Sequence, residues 1–365
     1  MKNVTMAFLG AALCLGACQK NETQVTLHLE PGQASGFSLV DMATRDTVSQ
    51  TSEVKDDGTM VVRTAASDTL LAVVMLGDSV RQVVVLDGEP LELDFTGGKR
   101  DVVKGSKANK TIADVNARLR TVAAGRDSVM QDFDALKTQC SGPVSPARID
   151  SLYKRMDRYD EIEKGIFREA IEANRDNALA AWFVLRSEGV LDYDLLENFL
   201  KDYAYKDLYA LESVHKSIVA EKRKQVGVAL VDFSMQDMQG KTHKMSEYVG
   251  QGKWVLVDFW ASWCGPCRKE MPTVKACYEK YQDKGFQVVG VSLDSDSKAW
   301  AQGVADLGIT WPQMSDLKGW ESLVVDLYGI RSIPATLLFD PDGKVAASGL
   351  RGEELESKLA EVFAK

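Results

Sequence analysis

The run Trp254-Val-Leu-Val-Asp-Phe-Trp260 is apolar almost without interruption, and shortly beyond it stands Cys264-Gly-Pro-Cys267. Near-continuous apolarity over a strand's length marks a strand buried on both faces, as in the middle of a sheet covered by helices. A helical pattern runs from Pro266 past Tyr281, so the two cysteines sit at a strand-to-helix turn. The alternation continues: residues 286–293 predict a strand, 297–307 a helix and 321–328 another helix. Strands at 335–339 and 345–349 and a closing helix at 353–363 follow. Asp340-Pro-Asp-Gly343 supplies a tight turn suited to an antiparallel hairpin between those last strands. Residues 227–365 therefore predict an α/β domain, a central mixed sheet flanked by helices.

A Cys-x-x-Cys pair at such a turn points to dithiol chemistry. The unpaired N–H groups and dipole of a helix start favour a thiolate at Cys264. Cys264 is expected to be exposed, and Cys267, one turn in, more buried. Gly265 and Pro266 let both sulfurs reach bonding distance across the first turn, and proline costs nothing there because the first helical N–H groups lack partners. Half of a zinc site is the rival reading; it needs two further ligands, and only Cys277, well along the helix, is near. Cys277 keeps helical spacing with Val274 and Tyr281, the place of a buried, inert thiol. Asp258 is a carboxylate among Val255, Val257 and Phe259, costly to bury unless it serves the chemistry. No Walker loop, dinucleotide glycine fingerprint or zinc-type histidine spacing occurs, so no cofactor or metal is expected.

Val257-Asp-Phe-Trp-Ala-Ser-Trp-Cys-Gly-Pro-Cys-Arg268 resembles the active-site segment of thioredoxins. Tyr328-Gly-Ile-Arg-Ser-Ile-Pro-Ala-Thr-Leu-Leu-Phe339 resembles their cis-proline segment. Asp232-Phe233, Asp237-Met-Gln-Gly-Lys241, Met245-Ser-Glu-Tyr-Val-Gly250 and Cys267-Arg-Lys-Glu-Met-Pro272 are similar to membrane-anchored thioredoxins of the TlpA/ResA type. The added helix and loop of that type would fall at 297–315. The resemblance implies a thioredoxin fold over 227–365 and a redox disulfide between Cys264 and Cys267. It implies an enzyme acting on disulfides or thiols of exported proteins, served by an upstream membrane electron donor.

Trp263, Gly265, Pro266, Ile333 and Pro334 would meet the substrate, with Pro334 in cis beside the disulfide and Ile333 offering its backbone to an extended peptide. Asp258 aligns with the aspartate that handles the proton of the resolving cysteine, and Glu270 with a glutamate near the active site. A plain exposed helix position beside Arg268 and Lys269 is the other reading of Glu270. The lysine that usually accompanies the aspartate has no counterpart in 286–293. Cys-Gly-Pro-Cys is typical of reducing thioredoxins, which favours a reductase over an oxidase or isomerase. A thiol peroxidase would need proline and Ser/Thr where Val257 and Ala261 stand. A binding lipoprotein working through its N-terminal half is the reading of another class.

Upstream, two patterns succeed one another. Residues 24–104 alternate as strands do, with Val25, Leu27 and Leu29 against Thr26, His28 and Glu30, and predict a small all-β domain. His28 has no second ligand near it and reads as a solvent-face residue. Residues 105–226 turn to helical period, as in Ile149, Leu152, Met156, Tyr159, Ile162 and Ile166. The stretch 140–146 separates two of these helices, and Cys140 has no close partner in sequence. A length of 365 residues suits two or three such domains. The net charge of −9 comes without a basic block, so nucleic-acid binding is not expected.

The first residues read as an export signal. Lys2 precedes a short apolar stretch, too short to span a membrane, and small residues lead to Cys18. Leu15-Gly16-Ala17-Cys18 resembles the bacterial lipobox, whose cysteine is acylated after cleavage. Residues 1–17 are thus expected to be removed, and 18–23 to link a lipid-bearing Cys18 to the protein. Gln19 is not the aspartate of inner-membrane retention, which favours a cell-envelope address at the outer membrane, facing the periplasm. The mature protein is expected to partition into detergent, and Cys18→Ala to release it in soluble form; a mature N-terminus that shows no lipid by mass spectrometry overturns the assignment.

Overall fold

The computed structural model describes residues 22–364 apart from 31–36, 43, 52–54, 66–70, 78–79, 99 and 140–144. The export signal, Cys18 and Cys140 lie outside the described residues. The chain forms two compact units: one runs to Leu191 and includes Lys201–Leu211, the other comprises Asp192–Leu200 and Glu212–Lys365.

The first unit opens with β1 (Glu22–His28), β2 (Phe37–Asp41), β3 (Thr47–Thr51) and β4 (Thr59–Ala65). β5 (Leu71–Leu76), β6 (Val80–Val85), β7 (Leu91–Asp94) and β8 (Asp101–Lys104) complete its strands. They form two four-stranded sheets, ordered β4-β1-β7-β8 and β3-β2-β5-β6. Alternation explains the core: Val25, Leu27, Phe37, Leu39, Val74 and Leu93 turn inward together, while the residues between them stay wetter. His28 reaches Glu92 at 2.7 Å on the wetter face of β1.

Helices α1 (Lys107–Gln139) and α2 (Pro146–Ala173) follow, then α3 (Leu179–Arg186). Leu152 meets Val129 and Leu136, with Met156 and Tyr159 packed against them, so this part of the apolar stripe read in the sequence is the seam with α1, whereas Ile162 is exposed. The pairs Arg118–Glu169, Arg126–Asp160 and Arg155–Asp132 run in opposite order along the two helices, which makes them antiparallel. Gly125 permits the close approach, because a Cβ there would lie 2.3 Å from the Tyr159 ring.

The second unit holds α4 (Tyr193–Lys201), whose last residue falls across the division, and α5 (Glu212–Lys222). Next come the hairpin strands β9 (Ser234–Gln236) and β10 (Thr242–Lys244), then β11 (Trp254–Trp260) and α6 (Gly265–Tyr281). β12 (Phe286–Ser292), α7 (Ser297–Leu307), β13 (Gln313–Met314), α8 (Leu323–Tyr328), β14 (Ala335–Phe339), β15 (Val345–Ser348) and α9 (Gly352–Phe363) complete it. The sheet order is β13-β12-β11-β14-β15. β12 runs parallel to β11 and β14 antiparallel to it, so this is the mixed sheet of a thioredoxin fold with β11 at its centre. From Val255 to Trp260 every residue of β11 is buried, as its composition requires.

β13 was not legible in advance. It is two residues long, and it carries a buried Gln313 whose Oε1 accepts a hydrogen bond from Trp260 Nε1 at 2.9 Å. Gly290 on β12 makes room for that amide, since a Cβ there would sit 2.2 Å from Gln313 Nε2. Gly290→Ala is expected to destabilise the protein by about 1–3 kcal/mol through overpacking, read as an earlier denaturant midpoint.

Candidate active site

β11 ends at Trp260, and the chain turns through Ala261, Ser262 and Trp263 to Cys264, the N-cap of α6. The turn is tied down from beneath. Leu293 N–H donates to the Trp260 carbonyl at 2.8 Å. Asp294, buried past the end of β12, accepts from Ser262 N–H at 3.0 Å, Ser262 O–H at 2.6 Å and Ser292 O–H at 2.7 Å. Three donors offset the desolvation of this carboxylate and fix the segment leading into the cysteines. Gly303 lets α7 close on the same segment, because a Cβ there would stand 2.6 Å from Ser262 Cβ. Sequence reasoning missed Asp294; the signal was an acidic residue closely following an apolar strand.

Cys264 and Cys267 form a disulfide, with Cα atoms 5.3 Å apart. Cys267 N–H donates to Cys264 Sγ at 3.1 Å, the contact a thiolate at a helix start would strengthen. The expected exposure of Cys264 is corrected: 4% of it is accessible, against 1% of Cys267. The disulfide turns both sulfurs inward, and the Ile333 carbonyl oxygen lies 3.6 Å from Cys264 Sγ. The Ile333–Pro334 peptide is cis, with Pro334 buried and Ile333 half-buried.

Outside the disulfide the surface is open. Gly265 and Pro266 are exposed, and so is Trp263, 56% accessible. Its ring lies 6.3 Å from that of Trp320, a second exposed aromatic that sequence reasoning did not single out. The loop bearing Trp320 is pinned by Asp316, whose Oδ2 accepts from Ser322 O–H and Leu323 N–H, both at 3.0 Å.

Two carboxylates and an arginine lie behind the cysteines. Asp258 is buried on β11, opposite Thr336 of β14. Burial pushes its carboxyl up to about 7, Glu270 adds to the rise, and Arg351 opposes it. Glu270 is half-buried, not a free helix position: its Oε1 accepts from Gly352 N–H at 2.6 Å at the start of α9. Arg351 donates to the Pro334 carbonyl. That arginine links the proline loop to the field at Asp258, and its distance in sequence concealed it. Cys277 is buried and unpaired, and burial holds its thiol up at about 11, so it stays protonated at neutral pH.

Residues 226–348 match the AhpC/TSA family. The chain is 32% identical over 145 residues to the thiol-disulfide oxidoreductase ResA of Bacillus thuringiensis, covering 40% of this chain and 80% of that protein. It is also 32% identical over 138 residues to ResA of Geobacillus thermodenitrificans, covering 38% and 74% respectively. Among solved structures, the thioredoxin domain of a Bacteroides vulgatus thiol-disulfide oxidoreductase is 32% identical over 38% of this chain and 98% of that one, with a TM-score of 0.36.

The pH dependence of stability reports on Asp258. The native state keeps a proton up to about pH 7 that the unfolded carboxyl, near 3.8, has already released. The contribution is whole below the unfolded value and is lost as pH rises through the folded one. Relative to wild type, oxidised Asp258→Asn protein is expected to gain stability between about pH 4 and about pH 8, by up to roughly 4 kcal/mol in denaturant titrations. Parallel profiles for the two proteins would count against a buried, proton-holding Asp258.

Proposed function

The chain belongs to the thioredoxin-like thiol-disulfide oxidoreductases, and from that membership we propose that it reduces disulfides of exported proteins through the Cys264–Cys267 dithiol. The observation that carries this reading is the Cys264–Cys267 disulfide at the start of α6 with the Ile333 carbonyl facing Cys264 Sγ. A substrate backbone can pair with that edge whatever its side chains. The absence of histidine between the cysteines supports the reducing direction. Gly265 and Pro266 add no charge that would favour the dithiol form and turn the protein into a strong oxidant.

The reaction proceeds in two exchanges. Cys264 thiolate attacks one sulfur of the substrate disulfide, a mixed disulfide forms, and the other substrate sulfur leaves as thiolate. Cys267 then loses its proton and attacks Cys264 Sγ; the mixed disulfide breaks, the substrate departs with two electrons, and the protein disulfide closes. Asp258, whose carboxyl titrates near neutrality, serves as acceptor for the Cys267 proton. Glu270 and Arg351 tune that carboxyl from opposite sides. Trp263, Gly265, Pro266, Ile333 and Pro334 form the substrate surface, which Trp320 extends. An upstream membrane donor returns the two electrons.

Anchorage through an acylated Cys18 in the cell envelope, at the outer membrane facing the periplasm, belongs to the same proposal. Among the described residues no helix is long and apolar enough to cross a membrane. A peroxide-reducing reading lacks the proline and hydroxyl residue around the first cysteine, where Val257 and Ala261 stand.

Cys264→Ser is expected to abolish reduction of insulin disulfides, whereas Cys267→Ser should accumulate mixed disulfides with exported proteins that can be captured and identified. A reduction potential near the thioredoxin value of about −270 mV supports the reducing direction, and one near about −120 mV would reverse it. Normal turnover by the Cys264→Ser protein would remove the assigned nucleophile.

A further inference from the structure

The first unit contains a cavity of about 950 Å³ whose wall carries four arginines: Arg81 on β6, Arg100 just before β8, Arg120 on α1 and Arg186 on α3. Its size is that of a small-molecule site. The carboxylates on the wall are Asp101 and Glu163, and Glu163 is engaged by Arg126 at 2.6 Å. Four other arginines of this unit are matched: Arg118 to Glu169, Arg126 to Asp160, Arg155 to Asp132 and Arg175 to Glu172. Among the described residues Arg81, Arg100 and Arg120 make no such pair. Arg186 is held for display: its guanidinium donates to Asn116 Oδ1 at 3.1 Å and lies over the Trp182 ring at 5.6 Å. Partial desolvation lowers its pKa from the usual arginine value, and the Glu163 charge opposes that.

Four cations against the two carboxylates Asp101 and Glu163 leave the hollow net positive, and this in a chain of net charge −9. Convergence from separate elements is the arrangement that an anion relieves and that ordinary surface solvation does not require. Guanidinium groups present forked donors that fit phosphate and carboxylate oxygens. A single carboxylate offers two oxygens to four forks, whereas linked phosphates offer more acceptors and more charge.

We propose that this cavity binds a ligand bearing two or more phosphate groups, by charge-assisted hydrogen bonds from Arg81, Arg100, Arg120 and Arg186. Such phosphates occur on soluble metabolites and on lipid headgroups, and the two sources separate experimentally. The full-length protein is titrated with sodium pyrophosphate at constant ionic strength, with potassium chloride as the control. In a second arm, binding to phosphatidylcholine vesicles containing cardiolipin, whose headgroup carries two phosphates, is compared with binding to pure phosphatidylcholine vesicles, so that any contribution of an acyl anchor cancels.

Arg100→Gln combined with Arg120→Gln removes two exposed groups that hold no ion pair, and Arg81→Gln is a second variant on another element. Saturable binding in either arm that the double variant weakens about tenfold or more, with circular dichroism unchanged, supports the site; the responding arm identifies the source of phosphate. Absence of saturable binding in both arms, or equal affinity in wild type and both variants, overturns it.

Discussion

Cys264 stands where the central, buried strand of its unit ends and a helix begins, and the remainder of the site is arranged around that junction. β11 is buried from Val255 to Trp260, so the turn leaving it inherits the strand's rigidity. α6 contributes the opposite property, a start at which N–H groups have no helical partner and a sulfur can accept one. A dithiol needs both, because the two sulfurs must close repeatedly to the same bond while one of them remains able to carry charge. Moving the cysteines along the helix would lose the free N–H groups, and moving them into the strand would lose access.

That junction is stabilised by polar groups placed in an otherwise apolar interior. Asp294 accepts three hydrogen bonds from the turn and from β12, and Gln313 receives the indole of the last β11 residue. Asp294 has its partners supplied, whereas Gln313 is bonded through Oε1 and its buried Nε2 is without a partner among the described residues; both sets of bonds confer a specific geometry where apolar packing alone would tolerate several. Asp258 is different. It is buried without a comparable set of donors, and its carboxyl moves towards neutrality. The same interior therefore holds one carboxylate fixed for geometry and another poised for a proton, and the number of donors aimed at each makes the distinction.

The local patterns were legible where one element decides its own fate. The span 297–307 read as a helix is α7 residue for residue, and 335–339 read as a strand is β14. Boundaries drifted where an end depends on a neighbour: the strand expected over 286–293 stops at Ser292, whose partner Trp260 is the last residue of β11. Glu270 shows the same limit. Beside Arg268 and Lys269 it resembles a solvent residue, yet it caps the start of α9, a helix far along the chain.

The sequence by itself determined the α/β character of the second unit, the strand-rich and helical character of the first, and the dithiol at a strand-to-helix turn. Periodicity and short motifs are local, and those features need nothing beyond the residues that carry them. Only the tertiary structure decided that Asp294 braces the turn, that Arg351 joins the proline loop to the field at Asp258, and that Trp320 stands beside Trp263. It alone gathered Arg81, Arg100, Arg120 and Arg186 around one cavity. Hydrogen bonds, fields and convergent charge depend on distance through space, and that distance is set only when the sheets and helices have packed.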